Sequence, residues 1–372
     1  MAAPARAQDA PARVQDAPSR ELAAPLTGAQ IYRAACSNCH GADGRGASFS
    51  VVGFREPVVP DLADCRATTG ETNRQWSAVD HNGGPARGFS ARMPAFGSAL
   101  TDAEIRRVLE YIRGFCGDRR WPRGELNLPR PFLTEKAYPE DEVVLDGAYA
   151  HTRPRTLDNT LFYERRIGPR GQIEFVIPFG AHERTSEFDE PEHRWTGVRL
   201  GDVAVAYKQV LYHSLRSGSI LSFAGEAAFP TGDTRDGFGV GTTVVEPALL
   251  FGQLLPGLVF LQGQGAVGLS MNHSKAPNEG LLRLVLGKIW IPVRLGRELS
   301  PMIEVQGVRE LIEDGVTTWD LVPQVQATLS RRQHIRGSVG YLVPVERNTD
   351  RPKQFVAYLL WDWFDGGLFQ GW

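Results

Sequence analysis

The chain has 372 residues, 41 of them basic and 43 acidic, for a formal net charge of −2. That length exceeds one ordinary hydrophobic core and favours two domains, while the near-cancelled charge leaves no basic face for nucleic acid. All 4 cysteines lie between Cys36 and Cys116, and no run of about 18 apolar residues occurs, which excludes a transmembrane helix but not a membrane barrel.

Residues 1–26 repeat Pro-Ala-Arg-x-Gln-Asp-Ala twice. A proline in each copy breaks any helix, so this stretch reads as a disordered tether or signal remnant. A secretory signal has a charged start and an apolar middle. Neither is present, so the chain is expected to begin near or just inside its true signal.

Residues 33–46, RAACSNCHGADGRG, carry Cys36-Ser-Asn-Cys39-His40. Two thiols three positions apart on a helical turn can each add to one vinyl group of a haem, and the adjacent histidine then lies under the iron. A redox or zinc Cys-x-x-Cys that happens to precede histidine is the competing reading. Downstream, Met93 stands before Pro94 in a loop that leads into a helix capped by Thr101 and Glu104, with Ile105, Val108, Leu109 and Ile112 as its apolar stripe. A thioether favours reduced iron and raises the potential, so Met93 is the expected sixth ligand. His81 is the rival, although Asp80-His81-Asn82-Gly83-Gly84 reads as a polar turn.

These features together resemble class I cytochrome c. The resemblance rests on Ile31 to His40, Pro60-Asp61-Leu62, Met93-Pro94-Ala95-Phe96, Leu100 to Ile105 and Tyr111-Ile112, in the family's order, over roughly residues 27–116. It implies a small all-α domain, one covalent haem c at Cys36 and Cys39, and His40 and Met93 as axial ligands. It also implies packing of the first helix on the last, with Tyr32 and Tyr111 at that contact. Haem is attached outside the cytoplasm, where disulfides persist. Cys65 and Cys116 are therefore disulfide candidates, two unpaired buried thiols being the alternative. The domain is taken as 27–120, followed by a linker at 121–140.

From residue 141 to 372 the helical period gives way to alternation. Trp319, Leu321, Val325, Ala327 and Leu329 oppose Asp320, Gln324, Gln326 and Thr328, and Leu261 and Val267 oppose Gln262 and Gln264. Period two with one apolar face marks antiparallel strands. About twelve are expected: 142–150, 158–166, 171–180, 198–211, 219–229, 241–252, 258–269, 281–292, 299–309, 319–329, 334–344 and 353–363. Their connections alternate short and long, as in an up-and-down outer-membrane β-barrel. Tyr207, Tyr212, Trp290, Trp319, Tyr341, Tyr358, Trp361 and Trp363 read as interfacial girdles, and the chain stops on Trp372. Phe229-Pro-Thr-Gly-Asp233 with Gly239-Val-Gly241 resembles a loop of outer-membrane barrels linked to aromatic degradation. A soluble β-sandwich or calyx, apolar face inward, is the alternative fold.

Glu226, Arg283, Glu304 and Arg336 are expected to face the lumen. The long acidic loop with His182, Glu183, Glu187, Asp189, Glu190, Glu192 and His193 could hold a metal ion or simply be solvated. No nucleophile elbow or phosphate loop occurs. The functional expectation is single-electron transfer, with outer-membrane lipid around the barrel, the haem domain in the periplasm, and a periplasmic or extracellular redox partner. An outer-membrane solute channel with a cytochrome as redox or docking module, and a soluble periplasmic redox protein, are the alternatives.

Overall fold

The structure is a computed structural model that describes residues 25–53, 59–184, 195–291, 297–345 and 351–363. Nearly all of the 1–26 tether, Trp372, and Glu187, Asp189, Glu190, Glu192 and His193 lie outside these residues.

Among the described residues six α-helices come first: α1 Gly28–Ala35, α2 Ser37–His40, α3 Phe49–Val52, α4 Cys65–Thr69, α5 Asn73–Asn82 and α6 Asp102–Arg113. Capping boxes at Thr27/Gln30, Thr72/Gln75 and Thr101/Glu104 satisfy the first amides of α1, α5 and α6. Ile31 and Tyr32 of α1 bury against Ile105, Val108, Leu109 and Ile112 of α6. The helices cross so closely that a Cβ at Gly28 would fall 2.1 Å from the Arg107 carbonyl oxygen. Tyr32 and Tyr111 meet at 5.4 Å between ring centroids, and Phe115 stacks edge-on to both. Cys65 and Cys116 form a disulfide that ties the start of α4 to the stretch after α6. The stretch around His81 is the last turn of α5 rather than a free turn; Thr72 starts that helix and Gly83, at φ +79°, ends it.

Thirteen strands follow: β1 Glu142–Ala150, β2 Thr156–Ile167, β3 Gly171–His182, the two-residue β4 Arg199–Leu200, β5 Ala204–Ser214, β6 Ser219–Ala228 and β7 Val244–Leu254. The rest are β8 Val259–Ser270, β9 Glu279–Lys288, β10 Leu299–Glu310, β11 Thr317–Thr328, β12 Ile335–Pro344 and β13 Gln354–Asp362. Apart from β4, which only extends the edge of β3, they run antiparallel, each beside its sequence neighbours. β1 pairs with β13 from Glu142↔Asp362 to Ala150↔Gln354, so twelve strands close a ring.

The side chains sort by face. Leu145, Leu249, Leu284, Val339, Phe355 and Leu359 are exposed on the outside. Glu142, Glu164, Gln262, Glu304, Asp320 and Gln326 are buried inside. Greasy outside and polar inside is the inverse of a water-soluble calyx and is the arrangement of a bilayer-spanning barrel. Tyr212, Trp290 and Trp361 stand at one rim, Trp319, Tyr341 and Phe355 at the other. Tyr358 departs from the girdle reading: its register turns it inward, 6% exposed, with its hydroxyl donating to the Arg130 carbonyl at 2.7 Å.

The expected 198–211 strand also begins later, at Ala204. Asp202 is drawn into the adjoining loop, where its carboxylate accepts from the amides of Gly232 and Val240, each at 2.9 Å. The expected strand to 292 ends at Lys288, and beyond it Trp290 bridges to Leu299.

Connections at 168–170, 215–218, 255–258 and 329–334 cluster at the end of the ring where β1 begins and β13 ends. The helical domain packs on this short-turn end. Arg66 donates to the Asp141 carboxylate at 2.9 and 3.1 Å, Arg74 pairs with Glu298 at 2.7 Å, and Gln75 bonds Gln333 at 3.0 Å. The stretch read as a linker does not run free between the domains. Residues 124–140 enter the ring and return, with Leu126, Leu128, Thr134, Lys136 and Tyr138 all buried.

Candidate functional site

The end of α1 and the whole of α2 build the first half of the site. Cys36 closes α1 by donating its amide to the Tyr32 carbonyl at 2.9 Å, and its own carbonyl accepts from Cys39 and His40. One helical turn therefore carries Cys36, Cys39 and His40 in the order the sequence predicts. Gly41 then turns the chain at φ +75°, a backbone state in which a Cβ is strained. Tyr32 donates its hydroxyl to the Gly41 carbonyl at 2.7 Å. The amides of Gly46 and Ala47 return to the carbonyls of His40 and Cys39 at 2.8 and 2.9 Å. Leu62 of the Pro-Asp-Leu stretch donates its amide to the Gly44 carbonyl at 2.8 Å, which pins this loop to the domain.

Cys36 and Cys39 carry free thiols, whereas Cys65 and Cys116 are spent on their bridge. His40 Nδ1 is buried with no hydrogen-bond partner. Burial lowers the His40 pKa, which favours the neutral form of the imidazole, the form with a lone pair to give. Burial, then the charges of Asp80 and Cys39, push the Cys36 thiol up to about 12. Two thiols on one turn beside an imidazole whose Nδ1 has no partner suit a covalent haem c. They suit zinc less well: among the described residues no group of three or more His, Cys, Asp and Glu side chains could hold a metal ion.

The second half is the loop before α6. Met93 is half-buried there, and the loop is laid along α5 by its backbone. Gly84 donates to the Met93 carbonyl at 3.0 Å, Phe96 to the Asp80 carbonyl at 2.8 Å, and Gly97 to the His81 carbonyl at 3.0 Å. A Cβ at Gly84 would sit 2.2 Å from the Ser90 carbonyl oxygen, so only glycine admits this close approach. His81 is exposed, with Nδ1 3.0 Å from the Asn82 side-chain oxygen and its ring covered by Gly97.

Asp80 is where the two halves meet, and no spacing rule marks it in the sequence. Its carbonyl holds the Met93 loop and its charge reaches Cys36. Its Oδ2 is buried without a partner, and burial pushes the carboxyl up to about 7.

The acidic-loop metal reading gains no ligand set from the described part of that loop. His182 Nε2 lies 2.7 Å from Asp158 Oδ1 with its ring stacked on Phe238, and the Glu183 carboxylate accepts from the Arg155 amide at 3.0 Å.

Residues 23–112 match the family model described as cytochrome C oxidase, cbb3-type, subunit III. The comparison with curated proteins returns no match. Among solved structures, the chain is similar to an outer membrane channel from Pseudomonas putida F1, at 12% identity and TM-score 0.46, over 63% of this chain and 100% of that one. It is also similar to the KdgM porin, at 7% identity and TM-score 0.39, over 60% and 99%. The β-domain of the Bordetella autotransporter BrkA aligns at 16% identity and TM-score 0.36, over 60% and 98%. Residues 23–112 are thus a cytochrome c domain of cbb3-type kind by family match, joined to a closed twelve-strand antiparallel barrel.

Proposed function

We propose that the chain is a single-electron carrier with one covalent haem c, held at the periplasmic face of the outer membrane by its barrel. Cys36 and Cys39 would form the thioethers, and His40 and Met93 would be the axial ligands. Bound in this way, haem supplies a one-electron couple between ferric and ferrous iron and no bond chemistry. The chain's own residues do the rest. Ile31, Tyr32, Leu109 and Ile112 keep water from the site, Gly41 and Gly44 shape the loop after His40, and the α5 backbone positions Met93. The observation that carries this reading is the α2 turn, where two free thiols precede a half-buried imidazole whose buried Nδ1 has no partner.

The outward apolar face supports lipid as the barrel's surroundings and weighs against a soluble periplasmic redox protein. Docking on the short-turn end supports the periplasmic side, since bacterial barrels turn tightly there and loop widely outside. The redox partner is a periplasmic or extracellular electron donor or acceptor. Cell fractionation with haem staining tests the reading. A haem-stained band that requires detergent and migrates differently before and after boiling is expected. Haem-stained chain in the detergent-free periplasmic fraction would refute the location, and a band without covalent haem would refute the carrier. Loss of the iron–sulfur charge-transfer absorption in Met93→Ala, with haem retained, tests the sixth ligand.

A further inference from the structure

We propose that residues 124–140 are a built-in plug that closes the barrel to solutes, so that the ring is an anchor and mount for the cytochrome rather than a channel. The proposal rests on the barrel spanning a bilayer. Twelve strands enclose more room than side chains alone fill, since about eight strands already give an interior just wide enough for side chains and 16–18 leave an aqueous channel. Something must occupy that room or leave it open.

The occupant is held by its backbone. Glu304, 0% exposed on β10, accepts from the amides of Phe132, Leu133 and Thr134 at 2.6–3.2 Å and from the Thr134 hydroxyl at 2.6 Å. Three successive amides converging on one carboxylate form an anion nest, here at the innermost point of the segment. Glu304 is five residues beyond Leu299, roughly 16 Å along the strand from the short-turn end. Around the nest the wall supplies complementary groups. Arg283 donates to the Leu133 carbonyl at 2.6 Å, Gln262 to the Pro129 carbonyl at 2.8 Å, and Ser222 to the Ala137 carbonyl at 2.6 Å.

Charges are matched as well. Arg130 pairs with Glu142 and Glu164 of the wall, Lys136 with Glu142, and Lys208 of the wall with Glu135 at 3.1 Å. Withdrawing the segment would strip partners from several buried ionic groups at once, a change that costs far more than breaking exposed pairs. A tether merely resting in a pore would not be matched residue by residue to the wall.

The test uses the full haem-loaded chain in planar bilayers, beside a variant carrying both Arg130→Ala and Glu304→Ala. Heat-modifiable migration establishes first that each barrel is folded. If the barrel fails to insert, the membrane reading has failed and the plug falls with it. With inserted protein, the wild-type chain is expected to give no conductance steps and the variant to give them. Steps from the wild type, or none from a folded variant, would overturn the plug. Should the variant not fold, amide hydrogen exchange of the wild-type chain in detergent decides. Protection at Phe132–Thr134 equal to that of the barrel strands supports the plug, and exchange as fast as in the exposed long loops overturns it.

Discussion

The Arg332 guanidinium lies 4.8 Å from the centroid of the Phe89 ring and donates to the Gly88 carbonyl at 3.2 and 3.3 Å. Arg332 belongs to the turn between β11 and β12, and Phe89 to the loop that carries Met93. A barrel turn therefore grips the Met93 loop four residues from the proposed ligand. The cation–π contact and its hydrogen bonds contribute about 1 kcal/mol. Arg332→Ala is expected to leave barrel folding unchanged while loosening Met93. The iron–sulfur absorption should then fade at a lower pH than in the wild type. Identical pH titrations of that band would remove any link from barrel to haem.

The Cys65–Cys116 bridge closes a loop with a sequence separation of 51. Opening it with Cys65→Ser should lower the stability of the helical domain by about 2–4 kcal/mol, with haem attachment retained because Cys36 and Cys39 are untouched. Denaturant titration followed by haem absorbance checks this; an unshifted midpoint would mean the bridge does not brace α4 against α6.

Asp80 sets a pH dependence of definite sign. Its carboxyl is pushed up to about 7 by burial, from 3.8, so the folded state resists its ionisation. Well below pH 3.8 both folded and unfolded forms are protonated and nothing is lost. As pH rises towards 7 the unfolded form ionises first and stability falls, by about 1–3 kcal/mol once partial exposure is allowed for. Asp80→Asn should match the wild type near pH 3 and exceed it near pH 8. Parallel stability curves for the two proteins over that range would contradict this.

Leu284 sits mid-strand on β9, 48% exposed among the outward leucines Leu282 and Leu286. In a bilayer, Leu284→Arg should destabilise the folded barrel by about 2–4 kcal/mol. In water the same change at an exposed site would be close to neutral. Folding yield into lipid vesicles against urea separates the two, and an unaffected yield would contradict a lipid-facing β9.

Much of this was legible because alternation is a local signal. Gln262, Gln264, Asp320, Gln324 and Gln326 all turn inward, and Glu304 and Arg283 face the lumen, as their positions between outward apolar residues imply. The Cys36–His40 turn is equally local. What was not legible depends on distant partners. Residues 124–140 read as a linker because their prolines and charges have no periodic face. The groups that receive them, such as Gln172, Gln264, Glu304 and Gln326, lie 32 to 196 positions further on. Tyr358 was misplaced for the same reason: its hydroxyl finds Arg130, 228 residues earlier. Asp80 escaped notice because its significance comes from α2, which only the packing of α5 brings near.

The closure of β1 against β13 also places a long-range contact at the end of folding. The final strand made must find the first, and contacts of such long sequence separation form late and slowly. The nest on Glu304 requires β10 beside a segment 170 residues earlier, so that contact too belongs to the late, long-range part of folding. Protease resistance gained at residues 124–140 would then report when these distant contacts form, readable without any measurement on the haem.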